Sequence, residues 1–375
     1  MTKERGKSRS APRLLFITYF FPPTAGGGVF RPLAMIKYLS RLGWNITVIT
    51  ATTPKHYPKD PALENQIPDN VKVIRLPVVW EGSLLRRITG KLGLEWIPKG
   101  LITPDERIFW ADKATTQAKK LSAKEHFDCI YTTGPPFSIL LTGLWLKRMT
   151  KIPWLAEFRD PWTLAPYLTI SNTHHRRFAD DTEGDLMEFA DAVVMVTPTF
   201  AKMMGDKYTE NSAKVHCVPN GFDSEDFKNI DFNRPKNTEF TIVAAGTVFG
   251  RYNMDDFLSG LEKIKSDRKE YWQKIRVKFQ GLPDVKLNRR LLDNDLNDRC
   301  SSMGFVPHAK NIHDLVYADL LILPLARVAN SEGHLPSRTY EYLASGTPIL
   351  AICPDGDLKE LVSSFPQVMM RENGD

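Results

Sequence analysis

Apolar, strand-like runs alternate with helical patterns along almost the whole length of this chain. The run Arg13–Tyr19 is followed by a helical pattern over Arg31–Leu42 and then by a second apolar run, Asn45–Thr50. Parallel strands cannot be joined by a tight turn, so each needs a crossover connection, and a helix usually supplies it. The alternation therefore predicts an α/β protein with parallel sheets.

The alternation is interrupted once, by a polar segment at Asp223–Asn237, and it restarts at Phe240–Gly246. A chain of 375 residues can bury two ordinary hydrophobic cores. We therefore expect two Rossmann-like domains, with a ligand in the cleft between them at the carboxyl ends of the strands. The predicted boundaries are a flexible basic tail at 1–12, an N-terminal domain at 13–222, a linker at 223–237 and a C-terminal domain at 238–375.

The composition is that of a soluble globular protein, with 42% hydrophobic and 25% charged residues. No apolar run approaches the roughly 18 residues that a membrane span requires, and the basic start of the chain lacks the apolar core of a signal peptide. The cysteines are far apart and form no pair of the metal-binding type: Cys129, Cys217, Cys300 and Cys353. These features indicate a cytoplasmic protein with reduced thiols.

The chain carries a formal net charge of +6. A positive surplus suits nucleic acid, an anionic membrane surface or a phosphorylated substrate. The sequence contains no zinc finger and no aromatic–basic RNA-binding motif, so we expect no nucleic-acid partner. A nucleotide substrate and an anionic lipid surface are the better interpretations.

One stretch of the first half bears on a membrane surface. Apolar residues at helical spacing are interleaved there with basic residues: Leu84, Leu85, Ile88 and Leu92 with Arg86, Arg87 and Lys91. A basic amphipathic helix of this kind can lie on an anionic bilayer. An ordinary helix that buries its apolar stripe against a sheet would show the same pattern. Both interpretations stay open, and the first would place the protein at the inner face of the cell membrane.

The stretch Pro336–Leu350 has the features of a nucleotide site. It follows the apolar run Ala318–Leu325 and predicts a loop, a helix that begins near Ser337, a glycine stop and another strand. The side chain of Ser337 is expected to cap the helix. Free N–H groups at a helix N-terminus suit a phosphate, and Arg338 adds a guanidinium beside them. Glu341, one turn into the helix, can accept hydrogen bonds from the two hydroxyls of a ribose.

Three further motifs stand in order before this stretch. They are Phe20–Pro23 followed by Gly26–Gly28, then Phe158–Trp162, and then Val218–Asp223. Together the four motifs closely resemble those of GT-B glycosyltransferases of the family-4 type, over most of the chain. The resemblance implies a GT-B fold, in which two Rossmann-like domains face each other across a cleft.

The resemblance also implies an activity. Similar enzymes move a sugar from a nucleoside diphosphate sugar to an acceptor hydroxyl with retention of anomeric configuration, and they need no metal ion and no cofactor. The donor is expected to be a UDP-linked sugar. The acceptor is expected to be a saccharide or a lipid-linked molecule, in the assembly of surface polysaccharide or glycolipid.

The same resemblance assigns the donor site to the C-terminal domain. Glu341 would hold the ribose, while Arg251, Arg338 and the amides near Gly333 would hold the diphosphate, with Ser337 at the start of the helix. The family commonly has a lysine shortly after the first of these arginines, and this chain has none there. Arg338 is expected to supply the missing positive charge, or the diphosphate is held more weakly.

The family also has two glutamates with seven residues between them. Glu341 matches the second, but Gly333 stands where the first would be, and Glu332 is one residue early. Glu332 is therefore our candidate for the catalytic carboxylate at the donor sugar, and the amides from Gly333 to Leu335 are the alternative. His334 is either a hydrogen-bond donor at this site or a surface residue.

The acceptor site would lie in the N-terminal domain. There the resemblance assigns Gly27 and Gly28 to a loop that touches the acceptor and the donor phosphate, with Arg31 as a further candidate. Asp160 can orient or deprotonate an acceptor hydroxyl, and Trp162 can stack on a sugar face. The plain alternative for the charged pair that includes Asp160 is a structural ion pair that closes the loop.

Two other functions stay open. A GT-B-shaped nucleotide-sugar epimerase would act on the sugar without an acceptor. Such an enzyme needs a set of catalytic carboxylates and histidines, and we cannot assemble one from this sequence. A glycosyltransferase-like protein could instead bind a partner or a nucleotide without turnover, and the missing glutamate and lysine favour it.

The stretch Asp355–Asp357 resembles the metal-binding Asp-x-Asp motif of another fold. Its position beyond the helix and strand favours a loop turn, so we predict no metal site.

Overall fold

The computed structural model describes residues 11–78, 104–164, 173–233, 237–246, 254–282, 285–372 and 374. These residues form two compact units, each built around its own sheet. The first unit holds the described residues of Met1–Thr163, Ile170–Met195 and Met204–His216, and the second holds those of Leu164–Thr169, Val196–Met203 and Cys217–Asp375. The second unit therefore takes in a short segment, Val196–Met203, from a part of the chain that the sequence assigned to the N-terminal domain.

Strands and helices alternate over the described residues of 13–217 as the apolar pattern predicts. In chain order the elements are β1 (Arg13–Ile17), α1 (Gly27–Arg41), β2 (Asn45–Ala51), β3 (Lys72–Leu76), α2 (Ile108–Ser122), β4 (Cys129–Gly134), α3 (Ser138–Thr150), β5 (Trp154–Phe158), α4 (Thr173–Phe189), β6 (Ala192–Met195), α5 (Pro198–Lys207) and β7 (Val215–Cys217). Short 3₁₀ helices occur at Pro61–Gln66 and Thr209–Lys214.

The first sheet has the strand order β3-β2-β1-β4-β5-β6-β7. Strand β1 pairs in parallel with β2 on one side and with β4 on the other. From β1 the chain first runs outward through β2 and β3, and it then returns to add β4 on the opposite side. The carboxyl ends of β1 and β4 therefore lie at a topological switch point, the place where ligands bind in open α/β sheets.

The second unit repeats this plan. Its elements are β8 (Phe240–Ala245), α6 (Asp255–Asp267), α7 (Lys269–Trp272), β9 (Ile275–Gln280), α8 (Val285–Asp293), β10 (Cys300–Gly304), α9 (His308–Tyr317), β11 (Leu320–Pro324), α10 (Arg338–Ala344), β12 (Ile349–Ile352), α11 (Asp357–Ser363) and β13 (Val368–Arg371). The strand order is β10-β9-β8-β11-β12-β13, and all the paired strands are parallel. The switch point of this sheet lies between β8 and β11.

Both faces of the second sheet are buried, because helices cover each of them. Successive residues of a strand point to opposite faces, so Val243 and Ala245 of β8 pack into one core while Ile242 and Ala244 pack into the other. The same alternation places Leu321 and Leu323 in the first of these cores. Burial on both faces explains why the strands are continuous apolar runs in the sequence.

Two predicted boundaries differ from the structure. Helix α1 begins at Gly27, four residues before the predicted start at Arg31, with Gly26 at φ +123° as the residue before it. The polar segment 223–237 is ordered where it begins, because residues Ser224–Phe227 form a 3₁₀ helix whose N-terminus is capped by the side chain of Asp223. Phe227 is buried in the core that contains Val243, so the start of this segment belongs to the packed second unit.

Candidate functional site

In the second unit, Arg338 and β8 meet at the switch point of the sheet. Nη1 of Arg338 donates a hydrogen bond to the carbonyl oxygen of Ala245, the last residue of β8, at 2.6 Å. The N–H of Ala245 donates to the hydroxyl of Tyr342 on the same helix, α10, at 2.8 Å. The first residue of α10 is thus fixed against the carboxyl end of the first strand, and it places a guanidinium there.

The position that follows β8 favours glycine. Gly246 has φ +90°, in the region that L side chains rarely adopt. A Cβ atom on Gly246 would also lie 2.5 Å from Nη1 of Arg338. The close approach of Arg338 to the strand end therefore depends on the missing side chain of Gly246.

Glu341 stands one turn into α10 and is partly buried. Burial raises the pKa of its carboxyl group from the ordinary value of 4.5 to about 7, and the charge of Asp226 acts in the same direction, while His308 and Arg338 oppose it. His308 lies at the start of α9, and its Nε2 is 2.9 Å from Oδ2 of Asp226. Near neutral pH the carboxyl group of Glu341 can therefore exist in either protonation state.

The predicted cap of α10 is not formed. Ser337 precedes the helix with φ −58° and ψ −33°, in the helical region, and its side chain makes no capping hydrogen bond. A capping serine usually has extended backbone angles, which allow its oxygen to reach the N–H groups of the first turn. Ser337 is exposed, and a role for it in donor binding stays a prediction.

The residues predicted around the donor sugar fall on a 3₁₀ helix, Ser331–Gly333. Glu332 is exposed, whereas Gly333 and His334 are buried. The burial of His334 disagrees with the interpretation of this residue as an ordinary surface histidine. The remaining donor-site candidate, Arg251, lies outside the described residues, as do the residues of the predicted amphipathic helix, Leu84–Leu92.

In the first unit, Gly27 and Gly28 are the first two residues of α1, so they belong to a helix rather than to a loop. Gly27 is exposed, and Gly28 is partly buried. The carbonyl oxygen of Gly28 accepts a hydrogen bond from Nη1 of Arg159 at 3.0 Å. Arg159 also donates from Nε to the carbonyl oxygen of Gly134 at 3.3 Å and from Nη2 to that of Pro135. One guanidinium therefore joins the start of α1 to the chain that follows β4.

Arg31 is engaged by a buried carboxylate. Its Nε and Nη2 each lie 2.8 Å from Oε1 of Glu157, and the two side chains are only 9% and 1% exposed. Burial is the largest single influence and opposes the charged form of Arg31, but the charges and hydrogen bonds of Glu157 and Tyr131 together outweigh it, so the pKa of Arg31 is raised. Tyr131 donates to Glu157 at 2.5 Å, as does Thr133. Arg31 thus has a structural partner, and contact between its guanidinium and a phosphate stays a prediction.

Trp162 does not offer its ring to a sugar. The side chain is 3% exposed, and its ring stacks on that of Phe137, with centroids 5.4 Å apart. The next residue, Thr163, donates from its N–H and its hydroxyl to the buried carboxylate of Glu183, at 2.9 and 2.7 Å. Burial takes the aromatic face away from solvent, so the role of Trp162 is to hold the loop.

Asp160 lies between these anchors. Arg159 precedes it and is bound to three backbone carbonyls, while Trp162 and Thr163 follow it and are packed and hydrogen-bonded. Asp160 itself is partly buried. The structure therefore places the candidate carboxylate on a loop held at both ends, beside the carboxyl end of β5.

The sequence did not single out several residues that shape these sites: Tyr131, Thr133, Glu157, Glu183, Phe200 and His308. Glu157 had a usable signal, since it is a charged residue inside the apolar run Trp154–Phe158. A charged side chain in a buried strand needs a partner that carries the opposite charge or donates hydrogen bonds to it. The position of Glu157 alone therefore predicts a buried polar network. No comparable signal marks Phe200, whose contacts come from distant parts of the chain.

The Asp355–Asp357 motif has structural partners. Asp355 accepts from Lys359 at 2.7 Å, and Asp357 accepts from the hydroxyl of Thr199 at 2.7 Å. Among the residues that the structure describes, no group of three or more His, Cys, Asp or Glu side chains has metal-binding geometry. In the same part of the chain, no helix has both the length and the apolar character needed to cross a bilayer.

Comparisons with known proteins place this geometry in a family. The model of the glycosyl transferase 4-like domain matches residues 26–221, which is 196 of the 375 residues. No curated protein matches the sequence. The family match includes Gly26–Gly28, at the start of α1, and the motif Phe158–Trp162, which begins at the end of β5.

Solved structures cover nearly the whole chain. Sucrose-phosphate synthase from Thermosynechococcus elongatus is similar with a TM-score of 0.67 at 16% identity, over 97% of this chain and 86% of that one. A trehalose-6-phosphate structure from E. coli, bound with UDP-2-fluoro glucose, has a TM-score of 0.62 at 12% identity, over 96% of this chain and 88% of that one. WaaG, a glycosyltransferase involved in lipopolysaccharide biosynthesis, has a TM-score of 0.61 at 12% identity, over 96% of this chain and 86% of that one. These likenesses confirm the predicted GT-B fold class.

Proposed function

Because this chain belongs to the glycosyl transferase 4-like family and is a glycosyltransferase of the GT-B fold, we propose that its donor is a UDP-linked sugar. We further propose that the sugar is moved to a hydroxyl of a saccharide or lipid-linked acceptor, with retention of anomeric configuration and without a metal ion. The reaction would serve the assembly of surface polysaccharide or glycolipid, on the cytoplasmic side of the membrane.

The observation that carries the donor site is the position of Arg338 and Glu341. Arg338 is fixed at the carboxyl end of β8, at the switch point of the second sheet, and Glu341 stands one turn further along α10. A guanidinium binds phosphate oxygens, and a carboxylate accepts from the paired hydroxyls of a ribose. The two side chains therefore suit the two ends of a nucleoside diphosphate.

The choice of UDP is supported by the E. coli neighbour, which is bound with UDP-2-fluoro glucose. Retention of configuration and independence of metal are supported by the resemblance of the sequence motifs to family-4 enzymes. A cationic side chain can stabilise the leaving diphosphate in place of a metal ion. Arg338 is the described residue proposed for that role, and Arg251 is its proposed companion.

Acceptor binding is proposed for the first unit. Asp160 would orient the acceptor hydroxyl or take its proton, and the amides of Gly27 and Gly28, at the N-terminus of a 15-residue helix, would face an anionic group. The anchored loop supports this role for Asp160, since a group that moves protons must be held within hydrogen-bond reach of its substrate. The membrane contact proposed for the stretch Leu84–Leu92 would bring a lipid-linked acceptor to this unit.

Calorimetric titration with UDP, GDP and ADP tests the donor site. We expect UDP to bind, and Glu341→Ala and Arg338→Ala each to weaken its binding at least tenfold, the loss expected for one charge-assisted hydrogen bond. Glu360→Ala is the matched control, because Glu360 is an exposed residue of α11. Binding of a different nucleotide would correct the donor class, and binding of none would overturn the proposal.

Turnover separates an enzyme from a binding protein. Incubation with UDP-sugars should release UDP, slowly with water as acceptor, and the anomeric proton signal of the transferred sugar should show the configuration of the donor. EDTA should leave the rate unchanged. Tight UDP binding without any release of UDP would contradict the catalytic part of the proposal and favour a binding protein.

A further inference from the structure

The 3₁₀ helix Ser331–Gly333 is held on one side by the segment that follows β6. The hydroxyl of Thr197 donates to the carbonyl oxygen of Gly333 at 2.9 Å, and it accepts from the N–H of Phe200 at 3.3 Å. The ring of Phe200, which is 1% exposed, fills the space beside Gly333. A Cβ atom on Gly333 would lie 2.4 Å from Cδ1 of that ring.

The same 3₁₀ helix is also packed against the turn before α11. Gly356 has φ +138°, and a Cβ atom there would lie 2.2 Å from the carbonyl oxygen of Glu332. Asp357, the next residue, accepts from the N–H of Thr199 at 3.2 Å and from its hydroxyl at 2.7 Å. The segment Thr197–Phe200 and the turn Gly356–Asp357 are therefore joined to each other as well as to the 3₁₀ helix between them.

The segment Thr197–Phe200 and the turn Gly356–Asp357 together form a clamp on the 3₁₀ helix. This clamp leaves one side chain of the 3₁₀ helix directed to solvent. Ser331 and Gly333 are buried, and the following His334 is buried too, whereas Glu332 is exposed. The backbone of Glu332 is packed against Gly356 while its carboxylate is accessible. The clamp thus selects which residue of the 3₁₀ helix can reach a ligand.

We propose that Thr197 and Phe200 are positioning residues for the sugar end of the donor site. They fix the backbone of Gly333 and exclude any side chain from it, so Glu332 is the residue of this 3₁₀ helix whose carboxylate can reach the donor sugar. This inference rests on the proposed function. It accounts for the glycine at the position where the family has its first glutamate: Phe200 occupies the volume that a glutamate would need.

Thr197→Val tests the inference because it keeps the shape of the side chain and removes the hydroxyl, and Thr197→Ser restores the hydroxyl. Calorimetry would compare UDP with the UDP-sugar that the wild type binds most tightly among UDP-glucose, UDP-galactose and UDP-N-acetylglucosamine. We expect Thr197→Val to weaken binding of the UDP-sugar about fivefold or more, the effect of one lost buried hydrogen bond. UDP affinity should stay within about twofold, and Thr197→Ser should retain both.

The steric part of the clamp has its own test. Gly333→Ala should lower the melting temperature and the affinity for the UDP-sugar, and Phe200→Leu in the same chain should restore the affinity in part, because the smaller side chain makes room for the new methyl group. A merely structural role predicts that the affinities for UDP and for the UDP-sugar fall together, and that result would overturn the inference. Failure of the wild type to bind UDP or any UDP-sugar would instead overturn the proposed function, and the positioning role with it.

Discussion

Arg159 donates a hydrogen bond to the carbonyl oxygen of Gly28, which cannot accept one from the backbone nitrogen of Pro32. In an α-helix this carbonyl would accept from the N–H of the residue four positions on, which is Pro32, and proline has no N–H. The guanidinium of Arg159 takes that place from outside the helix. A proline inside α1 and an arginine after β5 thus form one structural feature, although 127 positions separate them.

This relationship predicts an unusual coupling between the two residues. Arg159→Met should lower the free energy of unfolding by about 2–4 kcal/mol, because several carbonyl oxygens lose a charged donor. The loss should be about 1 kcal/mol smaller in the Pro32→Ala background, where the helix itself supplies an N–H to Gly28. A double-mutant cycle in urea measures the coupling.

The control for this cycle is Arg176, an exposed arginine that donates to the carbonyl oxygen of Thr163 at 2.9 Å. Pro32→Ala and Arg176→Met should be additive within about 0.5 kcal/mol, since the two sites share no partner. Additivity of Pro32→Ala with Arg159→Met as well would show that the guanidinium does not replace the missing helical donor.

The buried pair of Arg31 and Glu157 predicts a large stability effect. Glu157→Gln should lower the free energy of unfolding by about 3–5 kcal/mol, because it leaves the charge of Arg31 buried without its counter-ion. The measurement is urea unfolding of the variant and the wild type. Asp185→Asn is the control, since Asp185 pairs with Arg148 at 3.0 Å with both side chains more than 40% exposed, and such pairs contribute less than about 1 kcal/mol. Equal losses in the two variants would contradict the buried character of the first pair.

The sequence predicted the order of strands and helices because continuous apolar runs bounded by polar segments are what a sheet buried on both faces requires. It was less reliable at the start of α1. Glycine has a low helix propensity, so the three glycines at 26–28 read as a loop, yet two of them open the helix, where the chain turns through φ +123° at Gly26. The prediction that Ser337 caps α10 was wrong. Serine is a common capping residue, but the backbone angles of Ser337 are helical and its side chain makes no capping hydrogen bond.

The candidate site was predictable only where its chemistry is local. Arg338 and Glu341 lie three residues apart on one helix, so the sequence itself predicted that the two side chains lie close together. The contact of Phe200 with Gly333 joins residues 133 positions apart and depends on the ring filling a space that no pattern in the sequence describes. The burial of Trp162 is of the same kind, because an aromatic residue on a polar loop fits a sugar platform and a packed anchor equally well.

The raised pKa of Glu341 predicts a pH-dependent cost in stability. The pKa is about 7 in the folded protein and 4.5 for the ordinary group, so the stability that Glu341 contributes is fully present below about pH 4.5 and is lost as the pH rises through 7. At 1.36 kcal/mol for each pKa unit, the loss above pH 7 is on the order of 3 kcal/mol. Glu341→Gln removes the charge and should be more stable than the wild type at pH 8, with little difference at pH 4.5.

Thermal melts of the two proteins at pH 4.5, 6, 7 and 8 measure this difference, with Glu360→Gln as the control.

Glu341→Gln should also weaken the binding of UDP. An ionised Glu341 accepts the ribose hydroxyls, so UDP affinity of the wild type, relative to that of Glu341→Gln, should rise as the pH passes through about 7. Using the ratio removes the titration of UDP itself. A ratio that is flat with pH would show that the carboxylate does not contact the nucleotide.

Asp160 is expected to act on the acceptor and not on the fold. Asp160→Asn keeps the size of the side chain, and the loop stays anchored by Arg159 on one side and by Thr163 on the other. Loss of a group that orients or deprotonates the acceptor hydroxyl should lower kcat for transfer by roughly a hundredfold or more. UDP affinity and the melting temperature should change little, because the donor residues and the anchors remain. If Asp160 only closed the loop as one half of an ion pair, the same substitution would instead lower the melting temperature, and the loss of activity would follow the loss of folded protein.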